Sequence, residues 1–121
     1  MTWQGVILEE SLEDTSLLNL TKIIKTGKEQ MEGEDRVLTF HNVEVLDENK
    51  EEFVRKAIKS IKQSFYLHLC KEGVMYVIFK DKMFKFSKGY PELETAREYG
   101  KSICILEEQM PFEKLLEDPF A

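Results

Sequence analysis

The side chains with most chemical reach at neutral pH are two histidines, His41 and His68, because imidazole changes charge near that pH and can act as a general base or a metal ligand. Each lies in a run that reads as a strand, Thr39-Phe40-His41-Asn42-Val43 and Tyr66-Leu67-His68-Leu69-Cys70. Side chains alternate across a strand, so Tyr66, His68 and Cys70 share one face. His41, Tyr66 and His68 are therefore the candidate lining of a ligand-binding or catalytic pocket. A metal would need further ligands from neighbouring strands, which spacing does not supply, and none is assigned. The competing structural role, a half-buried histidine bonded within a sheet, is the commoner one for these residue types.

Glu9-Glu10 and Glu107-Glu108 invite an acid–base or hard-cation reading, since paired carboxylates can split their pKa values or share a cation. On a strand, adjacent side chains point to opposite faces, so each pair would offer one carboxylate to any one site, and solvated charge is the favoured reading. Gly100-Lys101-Ser102 resembles the end of a phosphate-binding loop, but the position five residues before Gly100 holds Thr95 where that loop needs glycine. A helix cap explains it better. The sequence contains no G-x-G-x-x-G, G-x-S-x-G or H-E-x-x-H motif. No cofactor is implied, and a binding or interaction domain is favoured over an enzyme.

The net charge of −6 conceals a segregation along the chain. Residues 1–49 hold 4 Lys/Arg against 11 Asp/Glu, residues 50–88 hold 10 against 4, and residues 89–121 hold 3 against 8. The middle block is basic. Arg55, Lys56, Lys59 and Lys62 occupy the polar face of an expected helix, and Lys80, Lys82 and Lys85 crowd a hairpin. Together they form a candidate surface for an acidic protein partner or a second copy of the chain. Lysines at sheet edges also serve against edge-to-edge association, and the acidic balance overall argues against nucleic acid.

The elements that position these residues follow from periodicity. Gly5 to Glu9 reads as a buried strand, and Ser11 with Asp14 as the start of a short helix carrying Leu12, Leu17 and Leu18. Thr21–Met31 and Arg36–Leu46 form a hairpin about a turn at Glu32–Asp35. The apolar parity of the second strand changes from Leu38 and Phe40 to Val43 and Val45, which predicts a β-bulge near His41-Asn42. Phe53, Val54, Ala57, Ile58 and Ile61 recur at helical spacing after Asn49. Phe65–Lys71, Val74–Lys80 and Met83–Ser87 form a meander turning at Glu72-Gly73 and Asp81-Lys82. Pro91 opens a second helix that Gly100 stops, Ser102–Leu106 returns as a strand, and Pro111–Leu116 is a terminal helix. The expected fold is one α+β domain over residues 1–121, a mostly antiparallel sheet made of a hairpin plus a three-strand meander, packed by two to four helices.

No apolar run approaches the ~20 residues of a membrane span, and the N-terminal residues lack a signal core, so a cytoplasmic protein is expected. Cys70 and Cys104, both within apolar runs, are expected to be buried, reduced and unpaired, and Trp3 to seal the core. Trp3-Gln4-Gly5-Val6, Thr39–Val45, Tyr66–Leu69 and Met75–Phe79 together resemble small uncharacterised prokaryotic proteins over most of the chain. That resemblance carries no activity and no site residue.

Overall fold

The computed structural model describes residues 2–30 and 37–120. Its first strand, β1 (Thr2–Leu8), begins at Thr2 rather than Gly5, because Trp3, Gly5 and Ile7 alternate onto one buried face. The hairpin strands β2 (Lys22–Gln30) and β3 (Val37–Leu46) pair antiparallel, and β3 pairs again with β1. The other side of β1 meets β4 (Leu67–Lys71), which continues through β5 (Val74–Phe79) and β6 (Lys82–Ser87). One antiparallel sheet of order β2-β3-β1-β4-β5-β6 results, an α+β fold in which β1 joins hairpin to meander. The expected turn at Glu32–Asp35 lies outside the described residues.

The junction between β1 and β4 depends on a missing side chain. A Cβ on Gly5 would stand 1.9 Å from the backbone carbonyl oxygen of His68, so only glycine lets the two strands approach. Glu72-Gly73 turns β4 into β5 with both residues at positive φ, 50° and 80°, as a tight two-residue turn requires. The next turn falls on Lys80-Asp81, one residue earlier than its sequence suggests, since Phe79 pairs with Lys82.

Each sheet face has its own apolar core. On the first, α1 (Lys50–Ser60) lays Phe53 and Ala57 over Ile7, Val43, Leu69 and Ile78, with Leu17 arriving from a 3-10 helix (Thr15–Leu20). Asp14 opens that 3-10 helix by accepting the backbone N–H of Ser16. On the second face, α2 (Pro91–Ser102) and α3 (Phe112–Glu117) cover Met75, Val77 and Phe79. Arg97 fastens α2 to α3. It pairs with Glu94 and Glu113, donates to the Met110 carbonyl, and lies 5.5 Å from the Phe112 ring centre.

Four expectations are corrected. The register shift falls in β2, between Ile23 and Lys25, while β3 runs continuously along β1 from Phe40 to Leu46. The parity change in β3 arises because its start is apolar on one face and its end on the other. Gly100 does not stop α2, which continues to Ser102 and is followed by a turn at Ile103-Cys104 rather than a strand. Gly100 is small for another reason, as a Cβ there would lie 2.3 Å from the Met110 sulfur. Cys104, at φ 72° in that turn, is exposed, whereas Cys70 is buried.

Candidate ligand-binding groove

Helices α2 and α3 cover the second face only over the meander. Over the hairpin half, Val6, Leu8, Leu38 and Phe40 project from β1 and β3 toward the C-terminal segment, and a groove of about 600 Å³ separates them. Ile105, Pro111 and Leu115 form its far wall, and Phe65, Tyr66 and His68 close it on the meander side. Phe40 is positioned by its cross-strand partner Gly27, where a Cβ would come within 2.5 Å of the ring's Cζ. The groove is therefore built from the apolar positions whose parity differs in β3.

Its polar groups are turned to the protein's own backbone. His68 Nε2 lies 2.7 Å from the Pro119 carbonyl oxygen, which can only accept, so the ring carries its proton on Nε2. Burial pulls the His68 pKa down, and the Pro119 carbonyl opposes that only in part. The Tyr66 hydroxyl donates to the Gln109 carbonyl, and burial raises its pKa well above the usual phenol value. Ser64 donates to the Ile103 carbonyl at 2.9 Å. Three residues before or within β4 thus tie down the C-terminal segment, and the groove walls are neutral. The charges that line it are Glu29 and Glu108, both exposed; no lysine or arginine does so among the described residues.

The structure brings Tyr66 and His68 together but not His41, so the expected joint pocket of three residues does not form. His41 pairs across the sheet with Ile7 in the first core, whereas His68 pairs with Val77 in the second. The two rings lie on opposite faces. His41 is 6% exposed, its Nδ1 lies 2.8 Å from the Thr26 hydroxyl, and its Nε2 has no hydrogen-bond partner among the described residues but stands 3.5 Å from a Glu9 carboxylate oxygen. Glu9-Glu10-Ser11 forms a 3-10 turn instead of a strand, so both carboxylates reach β3, Glu10 accepting the Thr39 N–H at 2.6 Å. Thr26, His41 and Glu9 follow the order nucleophile, base and orienting acid, but none of them lines the groove. No cluster of three or more His, Cys, Asp or Glu among the described residues is placed to hold a metal.

The expected basic surface separates into three. Arg55, Lys56, Lys59 and Lys62 line the solvent side of α1 and its C-terminal end, and Arg55, Lys59 and Lys62 are exposed. Lys80 meets them but is occupied, paired with Glu13 at 2.8 Å and donating to the Lys59 carbonyl at 3.1 Å, where it complements the helix C-terminus. Lys85 lies instead over Tyr76, 5.5 Å from the ring centre, beside Lys50 at 5.1 Å. Lys82 is on the opposite face, 5.4 Å from the Phe84 ring centre.

No protein-family model, curated protein or solved structure matches the chain. Among the described residues, no helix is long and apolar enough to cross a membrane.

Proposed function

We propose that this chain is a small-molecule-binding domain whose site is the groove between β1, β3 and the C-terminal segment. The observation that carries the reading is a volume of about 600 Å³ over a half-sheet that no helix covers among the described residues, within the range of pockets for small ligands. Apolar walls supply burial, and Ser64, Tyr66 and His68 supply rigidity because their donors are already engaged. We favour binding over catalysis because, among the described residues, no nucleophile with an adjacent base lines the groove. A cytoplasmic setting, where thiols remain reduced, suits unpaired Cys70 and Cys104.

The test is fluorescence titration with a neutral apolar dye, Nile red. The wild-type chain is expected to bind it, and Leu38→Trp, which fills the groove, to abolish binding with the fold intact. Should Leu38→Trp not fold, Gly27→Ala displaces the Phe40 ring from an exposed strand and is expected to weaken binding severalfold. Wild-type levels of binding in a folded groove variant would refute the site.

A second reading has its own observation. Arg55, Lys56, Lys59 and Lys62 gather on and beside one helix without an ion pair to any described residue, which suits an acidic partner or a second copy of this acidic chain. Self-association of this kind weakens with salt. Sedimentation at low and high salt would show a dimer lost in Lys56→Glu/Lys59→Glu, and a salt-insensitive monomer would remove it.

A further inference from the structure

We infer that the groove selects amphiphilic cations, molecules with an apolar body and a single amine or quaternary ammonium end. The inference rests on the groove being a ligand site and adds the charge of its ligand. Three observations combine. The walls are hydrocarbon and aromatic, so the buried part of a ligand is apolar. The charged side chains on its lining are both carboxylates, Glu29 reaching from the edge strand β2 and Glu108 from the opposite C-terminal segment, so they stand on two sides of the opening. Among the described residues, no positive group on the lining compensates them. Burial disfavours the charged form of His68 and its bond to Pro119 opposes that only in part, and Arg97 is committed to Glu94, Glu113 and Met110.

Charge of one sign beside low-dielectric walls focuses its field into the cleft. A carboxylate or phosphate entering would face two like charges, with no ammonium or guanidinium among the described lining residues to receive it. A cation would be attracted by both, and its apolar part would enter the uncharged interior behind them. Ser64, Tyr66 and His68 have no free donor to reward an anion either. The same Glu108 belongs to an adjacent pair, but its partner Glu107 turns away to Lys101 at 3.5 Å, leaving one carboxylate for the opening.

The experiment compares three probes of equal chain length, decylamine, decanol and decanoate, below their micelle concentrations at pH 7, by isothermal titration against wild type, Glu29→Gln/Glu108→Gln and Leu38→Trp. A carboxylate–ammonium contact near 4 Å in a water-like dielectric is worth about 1 kcal/mol, roughly a fivefold gain, so two give on the order of tenfold or more. Decylamine is therefore expected to bind about tenfold tighter than decanol and decanoate weaker than either. The double Gln variant should bring the three affinities together, as should added salt. Equal affinities in wild type, each lost in Leu38→Trp, would overturn the charge preference and leave the groove reading standing. Absence of binding by all three would overturn both.

Discussion

Gly5→Ala is the substitution to which the fold should be most sensitive for its size. The added methyl would stand 1.9 Å from the His68 carbonyl oxygen, where real contacts essentially never fall below 3.0 Å. Neither atom can rotate away, because one is fixed to the β1 backbone and the other is β4 backbone. The strands must separate by the difference, which stretches the hydrogen bonds beside Gly5 past the range in which they hold. Each ladder hydrogen bond lost costs about 1 kcal/mol and overpacking adds roughly 1 to 3 kcal/mol, for a total on the order of 3 kcal/mol. For a domain of this size that lowers the unfolding midpoint by about 10 to 20 °C. Urea unfolding followed by the fluorescence of Trp3, two residues away on the same strand, reads the loss directly. Gly27→Ala is the control, since its methyl meets only the far end of the Phe40 ring and should cost less than about 1 kcal/mol. Stability of Gly5→Ala within about 0.5 kcal/mol of wild type would refute the close approach of β1 and β4.

Other consequences follow from single residues. The His68 pKa is lowered in the folded chain, so below about pH 6.5 the unfolded chain takes up a proton that the folded one resists, and stability falls as the pH drops from 7 to 5. His68→Gln should flatten that part of the stability–pH curve, and parallel curves would contradict it. Burial pushes the Cys70 thiol up to about 12, so a disulfide reagent at pH 8 should modify one thiol per native chain, Cys104, and two after unfolding. Two fast thiols in the native chain would place Cys70 at the surface. Arg97→Ala should destabilise by about 2 to 3 kcal/mol by removing the donors to Met110 and two ion pairs, and Arg97→Lys should restore only part, because one ammonium cannot span all three acceptors. Full stability in the alanine variant would deny Arg97 its fastening role.

Periodicity exposes what local spacing controls. The meander, its first turn and α1 follow from alternation, Glu72-Gly73 and the spacing of Phe53, Val54 and Ala57. Long-range contacts decided the rest. Gly100 looks like a helix stop by type, yet its neighbour Met110 comes from ten residues onward. Glu9 and Glu10 look like strand residues, yet the chain leaves the sheet at Leu8. Tyr66, just before β4, and His68 within it are recognisable as one face, whereas the placement of His41 needs the pairing of β3 with β1. Leu38 and Phe40 carried the one signal for the groove, a change of parity that a bulge would also produce. Helix spacing grouped Arg55, Lys56 and Lys59, but only pairing across β5 and β6 sends Lys82 and Lys85 to opposite faces.

The most direct test of the groove is a titration of isotope-labelled protein with decylamine, followed by amide and methyl chemical shifts. Saturable shifts are expected at Val6, Leu8, Leu38, Phe40 and Leu115, with Trp3 and the solvent face of α1 unmoved. Shifts confined to α1 or to the Trp3 end, or none at all, would contradict the groove as the site.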